Sequence, residues 1–210
     1  MFEDRKDAGR QLAVAVERLL DRDVGGWVAA GVPRGGVPLA AEVADELDIS
    51  LCPVNAVKVR PPWNRELASG AVAEGDICLT QEQLLNNVGI DESEFERAAV
   101  KAEEKLKQRI ETYGRAADIV NDQGVVLVDD GAATGLTAKA AARALRRVEC
   151  RKLVIALPVA SEDAAQMLQD ECDKMLVLHT PRMFMAVSQF YRSFPPVGEK
   201  EVLKYLRDRE

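Results

Sequence analysis

Two kinds of apolar pattern alternate along this chain. Apolar-rich runs with the length of strands occur at 27–32, 52–59, 70–73, 76–80, 125–129, 152–158 and 174–178. Between them, apolar positions recur every three or four residues over 5–20, 37–47, 137–147 and 162–169, the period of a helix with one buried face. This alternation predicts an α/β fold, a mostly parallel twisted sheet with helices on both faces. A charged segment from Gln81 to Arg115 interrupts it, and most of this segment reads as one helix with Phe95, Ala98, Ala99, Ala102, Leu106, Ile110 and Tyr113 along one stripe. The simplest reading is a helical insertion around 81–117, packed by that stripe, whose other face, or a neighbouring subunit, could wall the site.

The tail from Thr180 to Val197 concentrates Met183, Phe184, Met185, Phe190, Tyr191 and Phe194 in a chain otherwise poor in such side chains. Two readings stand: a C-terminal hood or cap over 180–210, or packing against the core or a second subunit. A last helix follows the Pro-Pro-Val-Gly break. No repeat or long linker divides the 210 residues, so one domain over 1–210 is expected.

The most informative chemistry lies in Val125-Val126-Leu127-Val128-Asp129-Asp130-Gly131-Ala132-Ala133-Thr134-Gly135-Leu136-Thr137. An apolar, largely β-branched run suits a central parallel strand, and Asp129 and Asp130 then emerge at its carboxyl end, where open α/β sheets bind ligands. The small residues after them let backbone N–H groups approach an anion, Thr134 and Thr137 add hydroxyl donors, and the next helix points its positive end at the same place. Carboxylates accept hydrogen bonds and donate none, so a vicinal diol is their natural neutral partner. A sugar phosphate satisfies acids and loop together, with the phosphate kept off the acids by like-charge repulsion.

A second strand-to-helix turn reads Pro33-Arg34-Gly35-Gly36, a flexible backbone beside a planar cation suited to phosphate oxygens. A third piece, from Val57 to Val72, ends a strand in a basic, proline-broken loop with Lys58, Arg60, Trp63, Arg65 and Glu66. Trp63 has two readings, a cover for a bound base or ribose and a ring packed on the core.

Together these motifs resemble the type I phosphoribosyltransferases, and in particular the uncharacterised bacterial branch of that family. The resemblance implies an Mg²⁺-dependent transfer of the 5-phosphoribosyl group of phosphoribosyl pyrophosphate (PRPP) to a nitrogen acceptor, with release of pyrophosphate, as in nucleotide salvage. By resemblance, Asp129 and Asp130 hold the ribose hydroxyls, and Gly131, Ala132, Ala133, Thr134, Gly135, Leu136 and Thr137 hold the 5-phosphate. Pro33, Arg34, Gly35 and Gly36 form the pyrophosphate loop. Arg34 and Lys58 neutralise the leaving group with Mg²⁺, to which Asp129 or Asp130 reaches through water, and Glu66 is the nearest acid or base for the nucleophile. Enzymes for 6-oxopurines carry an acidic residue where this chain has Ala133, which weakens those acceptors. The same fold also serves a second reading, a regulatory protein that senses PRPP or a nucleotide without turning it over. A homodimer is expected.

Composition narrows the partners. With 35 acidic against 28 basic residues the net charge is −7, which argues against a general nucleic-acid binder. No stretch has the pattern of a membrane span and the first twenty residues lack that of a signal peptide, so a cytoplasmic protein is expected. Cys52, Cys78, Cys150 and Cys172 are scattered and read as reduced thiols, and the single histidine, His179, reads as structural. Neither a Walker A sequence nor a dinucleotide fingerprint nor a serine-hydrolase elbow is present.

Overall fold

The computed structural model describes residues 1–20, 23–61, 68–81, 91–120 and 122–207. In chain order these form α1 (Arg5–Leu19), β1 (Trp27–Gly31), α2 (Gly36–Leu47), β2 (Ser50–Pro53), β3 (Ala56–Val59), β4 (Gly70–Ala73), β5 (Ile77–Thr80) and α3 (Glu92–Tyr113). They continue with β6 (Gly124–Val128), α4 (Leu136–Arg147), β7 (Lys152–Val159), α5 (Glu162–Gln169), β8 (Lys174–His179) and α6 (Glu199–Arg207).

Five strands pair in the order β2-β1-β6-β7-β8, all parallel. β6 is central and apolar throughout because both of its faces are covered. Val126 and Val128 face α1 and α2 with Leu12, Val16 and Leu39, whereas Val125 and Leu127 face α4 with Ala141 and Leu145. Parallel pairing brings the carboxyl ends of β1, β6 and β7 to one edge, and the chain leaves each of β1 and β6 through a short turn into a helix.

The run 52–59, expected as one strand, is two. β2 belongs to the parallel sheet, and β3 opens a second sheet of three antiparallel strands, β3-β4-β5. The switch occurs at Val54 and Asn55, where Glu74 at the end of β4 accepts from the Asn55 backbone N–H at 2.7 Å and from Asn55 Nδ2 at 2.8 Å. A buried, doubly bonded carboxylate thus redirects the chain. The small sheet packs through Ala71 and Ala73 toward α4, and its other face carries α3 through Val57, Val59, Phe95 and Leu106. The apolar stripe is therefore the face of α3 that packs; the segment 82–90 lies outside the described residues.

The tail closes on the first turn of the chain. Phe2 N–H donates to Phe190 C=O at 2.8 Å, and Arg192 N–H donates to Phe2 C=O at 2.8 Å. Tyr191 stacks between Phe2 and Phe194, with ring centroids 5.3 and 4.7 Å away. No helix among the described residues is long and apolar enough to cross a membrane. All four cysteines are unpaired.

Candidate functional site

β6 ends at Val128, so Asp129 and Asp130 sit on the first residues beyond the sheet edge, joined by the Asp130 N–H donating to Asp129 Oδ1 at 2.8 Å. The loop after them is fixed to β7 and α5. Ala132 N–H donates to Val159 C=O and Ser161 N–H to Ala132 C=O, both at 2.9 Å, while Ser161 Oγ donates to Ala133 C=O at 2.7 Å. Gly135 then turns the chain into α4 with φ +73°, a backbone that side chains resist, and it supplies no side-chain cap. The first-turn amides of α4 are left for another acceptor. Thr137 Oγ1, buried in that turn, has no hydrogen-bond partner among the described residues.

The facing wall is the turn between β1 and α2. Gly35 lies so close to the acids that a Cβ there would run into Asp130 Oδ2. Arg109 from α3 holds this turn to the small sheet, Nη1 donating to Pro33 C=O at 2.8 Å and to Ala56 C=O at 2.7 Å. The Pro33–Arg34 peptide is cis.

Between the walls lies an open cleft of ≈ 300 Å³. It is bordered by Pro33, Gly35, Lys58, Asp129, Asp130, the loop Gly131 to Gly135, and Thr137, so most residues that the sequence singled out converge there. Arg34 does not line the wall; it is exposed at the tip of its turn. Gly36 and Leu136 are buried as the first residues of α2 and α4. Trp63, Asn64, Arg65 and Glu66 lie outside the described residues. His179 packs against Phe2 at 5.3 Å, away from the cleft.

Four further side chains that the sequence reading did not single out shape the site. Arg5, first residue of α1, donates to Asp130 Oδ2 through Nε at 3.0 Å and Nη2 at 2.9 Å, with its guanidinium 3.6 Å from the Phe194 ring centroid. Tyr191 Oη donates to the Asp130 carbonyl at 2.6 Å. Lys105 and Arg109 reach the cleft from α3. Their spacing from Ala102 and Tyr113, three and four residues, puts them in a row beside the apolar stripe, and that position is the one sequence signal that could have found them.

The electrostatics follow from this crowding. Burial, reinforced by the charge of Asp130, pushes Asp129 up to about 7, while Lys58 and Arg5 pull it down. Burial also holds Asp130 above the usual carboxylate range, with Arg5 opposing it. Lys105 is held below its ordinary value by burial and then by Arg109, Arg60 and Arg34. Half-buried acids thus face a crowd of cations. Such a cleft can hold hydroxyls at the acids and anionic oxygens at the loop and the cations.

Residues 14–194 match the model of the phosphoribosyl transferase domain, and the chain belongs to that family. A Mycobacterium tuberculosis H37Rv protein named "Putative phosphoribosyl transferase Rv0571c" is 36% identical over 208 residues, 98% of this chain and 46% of its own length. The chain therefore spans about half the length of the curated relatives it matches. Among solved structures, TT1426 from Thermus thermophilus superposes with a TM-score of 0.76 at 35% identity, over 100% of this chain and 99% of that one. The AQ2163 protein from Aquifex aeolicus shares the fold at 11% identity, with a TM-score of 0.53 over 84% and 74% of the two chains.

Proposed function

We propose that the chain is a pentosyltransferase that moves the 5-phosphoribosyl group of PRPP to a nitrogen acceptor and releases pyrophosphate. The observation that carries this reading is the buried Thr137 hydroxyl, unpartnered among the described residues, in an uncapped helix start that borders the same cleft as two half-buried adjacent carboxylates. A phosphate supplies the acceptors that the loop lacks, and ribose hydroxyls supply the donors that Asp129 and Asp130 lack.

In the reaction the bond from ribose C1 to the diphosphate oxygen breaks, its electron pair leaving with pyrophosphate, and the acceptor nitrogen's lone pair forms the new C1–N bond. Any proton on that nitrogen passes to solvent. Asp129 and Asp130 orient the ribose and stabilise positive charge developing at C1. Lys58 at the cleft wall and Arg34 at the tip of its turn face the leaving diphosphate. The donor set suits Mg²⁺ held mostly by ligand oxygens and water: two adjacent carboxylates, one already half-committed to Arg5, with no group of three acidic, His or Cys side chains among the described residues. When bound, Mg²⁺ would neutralise diphosphate charge.

Pyrophosphate release from Mg-PRPP against nucleobases, small heterocycles, amines and a no-acceptor control tests this. Release that depends on one acceptor is the expected result. Saturable PRPP binding with no release for any acceptor would favour a sensor of the same fold, and absence of PRPP binding would remove the reading.

A further inference from the structure

The cleft carries cations beyond those assigned to the donor. Lys58 and Arg60 stand two residues apart on one face of the extended chain at β3, Lys105 and Arg109 one turn apart on α3, and all four border the cleft. Arg109 is committed through Nη1 to the Pro33 and Ala56 carbonyls. Arg60 and Lys105 form no ion pair among the described residues, whose salt bridges all involve other groups. They have no role in holding ribose or the 5-phosphate, which fall to the opposite wall.

Among the described residues the cleft also offers little to a flat neutral ring. Phe194 is the one aromatic side chain bordering it among the described residues, and its ring is already engaged by the Arg5 guanidinium at 3.6 Å and by Tyr191 at 4.7 Å. A neutral base seated here would find no uncommitted ring face among these residues, and it would take Arg60 and Lys105 partly out of water with nothing to pair them.

Resting on the proposed transfer reaction, we propose that the acceptor carries a carboxylate, which Lys105 and Arg60 receive while the acid pair and the phosphate loop hold the donor. The crowding of Lys105 by Arg109, Arg60 and Arg34 fits this assignment, since an entering anion relieves it. Charge, rather than ring stacking, then selects the acceptor.

Matched pairs that differ in the carboxylate test the inference: orotate against uracil, nicotinate against nicotinamide, anthranilate against aniline. Pyrophosphate release from Mg-PRPP is followed for each with the full chain, and Mg-PRPP affinity is measured separately by calorimetry. The expected result is a preference of about 100-fold or more in kcat/KM for the charged member of at least one pair. Lys105→Gln, at an exposed position, should raise that acceptor's KM about tenfold and leave the Kd of Mg-PRPP within about twofold. Equal use of neutral members, or release with a neutral acceptor and with no carboxylate, overturns the inference and leaves the transferase reading intact. So does a Lys105→Gln variant that weakens Mg-PRPP as much as the acceptor, because Lys105 then serves the diphosphate. Mg-PRPP binding with no release for any acceptor overturns both. Failure of the unaltered chain to bind Mg-PRPP removes the transferase reading itself, and the inference with it.

Discussion

Arg5 and Asp130, 125 residues apart in sequence, are joined by two hydrogen bonds to a single carboxylate oxygen, Oδ2, from Nε at 3.0 Å and Nη2 at 2.9 Å. The same guanidinium donates through Nη1 to Pro195 C=O at 2.7 Å, so one side chain ties α1, the carboxyl edge of β6 and the tail together. The side chains are 11% and 18% exposed, which places the pair between a surface bridge and a buried one. Oδ1 of Asp130 is the oxygen left to meet a ligand.

Arg5→Ala should therefore destabilise the protein by about 1–3 kcal/mol, more than a surface pair contributes, because it strands a half-buried carboxylate. Arg5 lowers the Asp130 pKa, so its removal moves that group further up, and the loss should be larger at pH 8 than at pH 5, because the ionised carboxylate is the form Arg5 stabilises. Urea denaturation at both pH values measures this; equal losses would show that packing, not charge, is what Arg5 supplies.

Asp129 is raised from its ordinary 3.8 to about 7. Between those values the folded chain holds a proton that the unfolded chain has lost, so this group's contribution to stability falls as pH rises through the window. Asp129→Asn should then be more stable than the parent by about 1–3 kcal/mol at pH 8 and close to it at pH 4. For ligand binding the sign is reversed, since ribose hydroxyls want the ionised acid: Mg-PRPP affinity should weaken as pH is lowered from 8 to 6. Thermal unfolding and calorimetry across this range check both slopes.

The Thr137 hydroxyl is buried without a partner among the described residues, so its replacement separates folding from binding. Thr137→Val keeps the shape and removes the unsatisfied polar atom, and stability should stay equal or rise by up to about 1 kcal/mol. Mg-PRPP affinity should fall about ten- to hundredfold, the range of one lost hydrogen bond to a charged group. A large loss of stability would mean that the hydroxyl is already bonded in solution.

Gly35→Ala should damage the site through backbone contact alone. The added Cβ meets Asp130 Oδ2, so either the turn or the carboxylate must move, at a cost of about 1–3 kcal/mol. Mg-PRPP binding should be lost by more than the stability change accounts for, measured on the folded variant by calorimetry.

The parts of this architecture that were legible in sequence are those fixed by local pattern. Val125 to Val128 could only be a strand covered on both faces, and the acids and small residues that follow it needed no tertiary information to be placed at a sheet edge. The end of β2 was invisible because Cys52 to Val59 reads as one strand; what breaks it is Glu74, just beyond β4, which holds Asn55. Arg5 and Arg109 were missed for the same reason. Each is one polar residue on an amphipathic helix, and only the folded chain shows that Arg5 meets Asp130 and that Arg109 meets Pro33.

The central claim is that the acid pair and the loop of β6 form a PRPP site, and the most direct measurement is calorimetric titration of Mg-PRPP into the unaltered chain and into Asp129→Asn, at pH 8. Asp129 is the better member of the pair to replace, since Asp130 also anchors Arg5. The account predicts saturable one-to-one binding to the parent and a loss of about tenfold or more in the folded variant. No binding to the parent, or the same affinity in both, would contradict it.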